Sequence, residues 1–283
     1  MHDARLTPAR ADLAAKHLEG KVDAASFVEG ELLEVHETIA PLRRAPSADA
    51  ELMTQALKGE HVTIYDRNGE GWAWGQLQGD GYVGWLPDAA LGKPGPTPTH
   101  KVIVIRSFAF PGPSIKLPPV ETPLMLSRLA VAREVEGFAV THDGLFLPQQ
   151  HLAGIDHKEA DFVVVAERFV GTPYLWGGKS SLGVDCSGLV QLSLNAAGLA
   201  CLRDSDMQQA SLGHAIDLAQ AKGLQRGDLL FWKGHVAIAR DAATIVHANA
   251  HHMATVIEDT AAAIARIKAA GSELVAIKRL EGA

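Results

Sequence analysis

Cys186 stands in Gly183-Val-Asp-Cys-Ser-Gly188, a glycine-bearing stretch that leads straight into the apolar run Leu189–Ala197. A thiol at the first turn of a helix faces the positive end of the helix dipole and several N–H groups without intrahelical partners. Both effects lower its pKa and favour the thiolate, the nucleophilic form of cysteine. The same N–H groups suit the oxyanion that forms when a carbonyl is attacked. Asp185 and Ser187 flank the thiol and are residue types that cap a helix start. Cys201 sits between Ala200 and Leu202 with no polar neighbour and reads as a structural core thiol.

A cysteine nucleophile needs a base and an orienting group, which lie elsewhere in sequence and meet it in the fold. Two of the 13 histidines stand out. His235 opens the alternating run His235-Val-Ala-Ile-Ala239, a register that can turn its ring out of a sheet. His247 ends the next apolar run, after Ile245-Val246. Pairing of the two strands would bring the rings together, with His247 holding the tautomer and orientation of His235. His251 and His252 crowd this third position, and the strand-end pattern selects His247. A metal site from His235, His247, His251 and His252 has weaker support, because neither HExxH nor a paired CxxC is present. No metal or organic cofactor is expected.

The elements that must position these residues fall into three parts. Residues 1–28 form a polar segment with a helix expected near Ala11–His17. Residues 29–95 carry short strand patterns, His61–Tyr65 and Trp72–Leu77, separated by the turn clusters Asp66–Gly69 and Gly79–Gly81. Such spacing suggests a small barrel. Lys93–Pro98 is a Pro-rich linker. Residues 96–153 repeat the style, with strands expected at Lys101–Ile105, Ala130–Val135 and Gly144–Leu147 and a Pro-rich stretch over Pro111–Pro123. From 154 to 283 the texture changes. Helices are expected at Lys158–Phe169 and Leu189–Ala197, and strands at Leu229–Trp232, His235–Ala239, Ala243–Val246 and Leu274–Lys278. Helices followed by antiparallel strands indicate an α+β domain.

Composition narrows the partners. The 283 residues carry a net charge of −7. That balance argues against nucleic acid as a partner, because binding domains usually present a basic face. Mean hydropathy is +0.04. No apolar run reaches the roughly 18–20 residues of a membrane span, so no membrane partner is expected. The N-terminal stretch is charged throughout and lacks an apolar signal core. A cytoplasmic protein with reduced thiols is the expectation, and a monomer is assumed.

Phe169-Val-Gly-Thr-Pro-Tyr-Leu-Trp-Gly-Gly178, Asp185-Cys-Ser-Gly188, Gly227-Asp-Leu-Leu-Phe231, His235-Val-Ala-Ile and His247-Ala occur in that order. Together they resemble the NlpC/P60 family of bacterial cell-wall cysteine peptidases, over about Ile155–Leu280. Residues 29–150 are similar to the two bacterial SH3-like modules that precede the peptidase in one branch. That branch comprises γ-D-glutamyl-L-diamino acid endopeptidases, also called dipeptidyl-peptidase VI. The stretches Glu51–Gln55, Gly81–Trp85 and Arg203–Gln208 look like it too. The fold implied is two small SH3-like β-barrels before a papain-like α+β catalytic domain.

The resemblance implies Cys186 as nucleophile, His235 as base and then acid, and His247 as the orienting residue. It places Tyr174 near the oxyanion, with aromatic core packing as the alternative. The implied substrate is a small murein peptide with a free N-terminal L-Ala. The bond cut would join the γ-carboxyl of D-Glu to meso-diaminopimelate or Lys, releasing L-Ala-γ-D-Glu in cell-wall peptide recycling. Asp185 would pair with the substrate ammonium as well as cap the helix, and Ser187 would add a hydrogen bond. The first SH3-like module would supply Tyr82 and Glu51, with Glu60 as a substitute, as a wall that reads the amine. Tyr82 packing a barrel and Glu60 as a solvated turn charge are the plainer alternatives. Arg203 could face substrate carboxylates. Asp204 reads as a helix cap, while Ser205 and Asp206 remain candidates beside the cleft. Trp176 and Trp232 read as packing residues. Two other functions stay open at this point: an amidase or acyltransferase on the same Cys–His scaffold, and a wall-peptide binding module with weak catalysis.

Overall fold

The structure is a computed structural model that describes residues 2–217 and 223–280. The chain divides into two compact units, Met1–Asp156 and His157–Ala283. In the first, β1 (Ala14–Ala15) pairs in parallel with β2 (Phe27–Val28). The helix expected near Ala11–His17 is therefore not formed. A 3-10 turn over Lys16–Leu18 is its only helical remnant. Arg10 shows why: its guanidinium lies 4.5 Å from the Trp74 ring and pairs with Asp66 at 2.6 Å. Tertiary anchors of this kind override the weak helix tendency of so short a segment.

Seven strands follow: β3 (Glu31–Val35), β4 (Ile39–Arg43), β5 (Leu52–Leu57), β6 (His61–Arg67), β7 (Trp72–Leu77), β8 (Val83–Pro87) and β9 (Leu91–Gly92). They form one sheet in the order β5-β4-β8-β7-β6-β3-β9. In β6, Val62 and Ile64 are buried while His61, Thr63 and Tyr65 are half-buried, the period of two read from sequence. Next come β10 (His100–Val102), β11 (Arg128–Leu129), β12 (Val131–Val135), β13 (Phe138–Thr141), β14 (Phe146–Pro148) and β15 (Leu152–Gly154). They make two three-stranded sheets, β11-β10-β15 and β12-β13-β14, around Val102, Ala109, Leu129, Ala139, Leu147 and Leu152. The strand expected over Lys101–Ile105 ends at Val102, well before the Pro-rich stretch begins at Pro111.

The second unit opens with α1 (Phe162–Glu167), shorter than expected because Asp161 caps it, its carboxylate accepting from the Val163 N–H at 2.8 Å. A hairpin of β16 (Lys179–Ser180) and β17 (Gly183–Val184) leads into α2 (Cys186–Ala196). All of α2 except Asn195 is buried, as befits a central helix. Two of its inward polar side chains bond backbone carbonyls. The Ser193 hydroxyl donates to the Leu189 carbonyl at 2.7 Å, and the Gln191 amide to the Cys201 carbonyl at 3.0 Å. The helix stops at Gly198, whose φ of +77° lets the Leu199 N–H return to the Leu194 carbonyl.

Then come α3 (Ser205–Ser211), β18 (His214–Ile216), β19 (Leu229–Trp232), β20 (His235–Ala239), β21 (Thr244–Asn249), β22 (Ala254–Asp259), α4 (Thr260–Ala269) and β23 (Leu274–Arg279). The six strands form one antiparallel sheet, β18-β23-β19-β20-β21-β22. Asp228, fully buried, locks β19 to β23 through two 2.7 Å bonds from Arg279. One face packs Leu230, Trp232, Ala237, Ala239 and Ile245 against Ala263 of α4. Strand alternation puts His235 and His247 on that same face.

Candidate active site

Asp185 builds the start of α2. Its carboxylate accepts from the Gly188 N–H at 2.7 Å, which caps the helix, and from the Gly177 N–H at 2.8 Å. Arg203 adds two more bonds, 2.9 Å to Oδ1 and 2.7 Å to Oδ2. Arg203 also reaches the Ser187 hydroxyl at 2.9 Å and the Gly178 carbonyl at 3.3 Å. Its side chain is 1% exposed. Arg203 therefore clamps the loop from within and does not face substrate carboxylates. The buried carboxylate already has its cation, so its charge alone does not call for a substrate ammonium. Ser187 is drawn into the same network, donating to Asp185 at 3.3 Å.

This network fixes Cys186, the first residue of α2, which is 7% exposed. Its sulfur takes hydrogen bonds from the backbone N–H groups of Val236 and Ser187. The Val236 contact seats the thiol at the head of β20, beside His235 in the chain. Contrary to the sequence expectation, the thiol is not poised as a free thiolate. Burial, followed by the negative charge of Asp185, pushes its pKa up to about 12. Those penalties outweigh the two N–H groups and Arg203. Burial first, and then His247, push His235 down to about 3. Burial thus favours the neutral form of both groups.

His235 Nε2 lies 3.0 Å from His247 Nδ1. The rings are 5.2 Å apart between centroids, and Trp232 backs His235 at 5.5 Å. His247 is 1% exposed, and burial is the main cause that lowers its pKa to about 4. The pairing expected from the strand pattern is present. His251 and His252 meet edge to face, with centroids 4.7 Å apart, and His252 bonds Asn249. Sequence reasoning missed the next member of the line. Glu258 Oε2 lies 3.1 Å from His247 Nε2 and is held by Arg266 of α4 at 2.7 Å. Its strand, β22, was not expected, although Val256 and Glu258 alternate on the side that faces His247.

Tyr174 is half-buried, and its backbone bridges Val184, just before Asp185. Burial first, then the carboxylate of Asp185 and the nearby Cys186, raises its pKa, so the phenol keeps its proton. A protonated hydroxyl beside the thiol can donate to an oxyanion. In α3, Ser205 is half-buried and Asp206 exposed, and the Asp204 side chain makes no capping bond. Gln208 instead ties α3 to the nucleophile loop, donating to the Ser187 carbonyl at 2.9 Å. Trp232 packs at 1% exposure, whereas the Trp176 side chain stands 59% exposed, contrary to the packing role expected. In the first unit, Tyr82 is fully buried, Glu51 pairs with Arg44 at 2.8 Å, and Glu60 accepts from the Leu57 N–H at 3.1 Å. Cys201 is buried and free, as its apolar neighbours suggested.

A capped helix bearing a cysteine, packed on an antiparallel sheet that supplies a histidine pair, defines a thiol-hydrolase type of fold and site. Residues 171–267 match the NlpC/P60 family, and residues 42–91 match the bacterial dipeptidyl-peptidase SH3 domain. The chain is 28% identical over 239 residues to a γ-D-glutamyl-L-lysine dipeptidyl-peptidase of Bacillus cereus, covering 74% of this chain and 65% of that protein. It is 30% identical over 197 residues to the protein of the same name from Bacillus subtilis, with 65% of each covered. The chain thus spans just under two thirds of the length of these curated relatives. The crystal structure of an NlpC/P60 family protein from Bacillus cereus shares the fold, with a TM-score of 0.73 at 23% identity, over 88% of this chain and 99% of that one. Among the described residues no helix is long and apolar enough to cross a membrane.

Proposed function

We propose that this protein is a cysteine peptidase that hydrolyses the γ-D-glutamyl–diamino acid bond of small murein peptides. The observation that carries the reading is the His235–His247 pair on the sheet, together with Cys186 at the head of α2. The names of the two Bacillus relatives support the class of bond. His235 takes the thiol proton as the sulfur adds to the γ-carbonyl, so that the charged pair forms only as the reaction begins. The oxyanion draws on the Tyr174 hydroxyl and the N–H groups at the start of α2. His235 then protonates the leaving amine of the diamino acid, leaving a thioester at Cys186. Water, deprotonated by His235, releases L-Ala-γ-D-Glu and restores the thiol.

A free N-terminal amine on the substrate is part of the proposal, with Ser205 and Asp206 of α3 as its candidate readers; Tyr82, fully buried, packs the first unit instead. Asp185 and Ser187 contribute by shaping the nucleophile loop, since their polar atoms are engaged with Arg203. A substrate of small free peptides fits a role in the cytoplasmic recycling of wall fragments.

The test is mass spectrometry of L-Ala-γ-D-Glu-meso-diaminopimelate, and of its Lys counterpart, incubated with the protein. The N-acetylated peptide and the Cys186→Ala variant run alongside. Release of the free diamino acid from the unblocked peptide alone, and only with Cys186 present, is expected. Cleavage of the acetylated peptide overturns the amine requirement. Cleavage by Cys186→Ala overturns the nucleophile.

A further inference from the structure

His247 has two competitors for one nitrogen. Glu258 Oε2 and Asn249 Nδ2 each lie 3.1 Å from His247 Nε2. The Asn249 amide cannot turn round, because its Oδ1 accepts from the His252 N–H at 2.9 Å. Asn249 therefore presents a donor, and Glu258, paired with Arg266, presents a charged acceptor. The two demand opposite tautomers of His247.

The choice passes along the line. If His247 Nε2 carries the proton, it donates to Glu258, and Nδ1 is left to accept from His235 Nε2–H. His235 Nδ1 then holds a lone pair and can take a proton. If Asn249 wins, His247 Nδ1–H donates to His235 Nε2, and the proton of neutral His235 moves to Nδ1. In that state His235 has no basic nitrogen available outside the ring pair. We propose that Glu258 is the positioning residue that selects the productive tautomer of both histidines, with Arg266 holding its carboxylate in place.

The geometry supports this assignment from three sides. Ile245 pairs with Glu258 and His247 with Val256, so the sheet register sets Glu258 diagonally beside His247 on one face. Arg266 binds both carboxylate oxygens, at 3.1 and 2.7 Å, so the acceptor is oriented rather than mobile. A hydrogen bond to a charged acceptor is about twice as strong as the neutral bond Asn249 offers, which decides the competition. The pair of Glu258 and Arg266 adds little net charge, so its main effect is on where the proton sits.

The inference rests on the peptidase reading for its purpose, but its test needs no substrate. Ring-nitrogen NMR of ¹⁵N-histidine-labelled protein reports each tautomer directly. The wild-type protein is expected to show His235 and His247 protonated at Nε2. Glu258→Gln is expected to move a measurable fraction of both protons to Nδ1. Arg266→Gln breaks the same ion pair but leaves the carboxylate, and is expected to keep both Nε2–H tautomers. A wild-type spectrum with Nδ1–H at His235 overturns the proposal even if no variant folds. So does an unchanged spectrum in Glu258→Gln, or an equal shift in both variants, which would make the ion pair merely structural. With the tripeptide substrate, Glu258→Gln should lower kcat by about 10- to 100-fold with KM within about twofold, and Glu258→Asp should recover part of the loss. Lack of any turnover by the wild type would refute the peptidase reading and leave the tautomer result standing.

Discussion

Arg203→Met removes a cation from the interior and leaves Asp185 behind. The Arg203 and Asp185 side chains are 1% and 10% exposed and share two bonds of 2.7 and 2.9 Å. After the change, the carboxylate keeps its N–H donors from Gly177 and Gly188 but has no charge partner. Breaking a buried pair from one side destabilises by about 3–5 kcal/mol. That is a large share of the 5–15 kcal/mol that holds a typical domain. Hydrogen exchange of the α2 amides reads the second unit separately from the first. The α2 protection should fall by that amount. Asp185→Asn on its own also loses stability, because it strands Arg203. The Arg203→Met/Asp185→Asn double variant should lose less than the sum of the single losses, since neither charge is then left alone. A loss below about 1 kcal/mol in Arg203→Met, or strict additivity in the cycle, would refute the clamp.

Three further outcomes follow from the same geometry. With its pKa near 12, Cys186 should alkylate with iodoacetamide more slowly than a free cysteine at pH 7, and the rate should keep rising above pH 9. A plateau below pH 7 would instead indicate a preformed thiolate. His235 and His247 fold with pKa values of about 3 and about 4, below the reference near 6.5. Their contribution to stability is therefore complete above about pH 6.5 and declines as pH falls toward about 4, by up to about 1.4 kcal/mol per pH unit for each ring. Urea titrations at pH 7 and pH 5 should show this slope, and His247→Ala should reduce it by about one proton. Gly188→Ala drives a Cβ into the Gly178 carbonyl at the first turn of α2. The expected loss is about 1–3 kcal/mol in urea unfolding, with a fall in turnover as Cys186 shifts; unchanged stability and activity would show that the loop yields freely.

The local grammar of this chain is strong where chemistry sits at the ends of regular elements. Asp185 before an apolar run announces a capped helix with Cys186 at its head. The alternation from His235 to Ala239, and the run ending at His247, announce strands that carry histidines. Each signal lies within a few residues, and each is governed by short-range rules of capping and pleating. The ordered motifs around them made the NlpC/P60 resemblance legible before any coordinates. Which groups answer these residues was decided by packing. Arg203 looked like a surface cation for substrate and became an internal clamp, because α3 and the Gly177–Asp185 loop enclose it. Glu258 carried no local signal, and only the β21–β22 register sets it beside His247. The thiol of Cys186 stays protonated because burial outweighs the helix dipole, and burial is a property of the whole domain. Sequence order names the nucleophile and its histidines; Arg203, Glu258 and Arg266, which tune them, come into reach only in the folded domain.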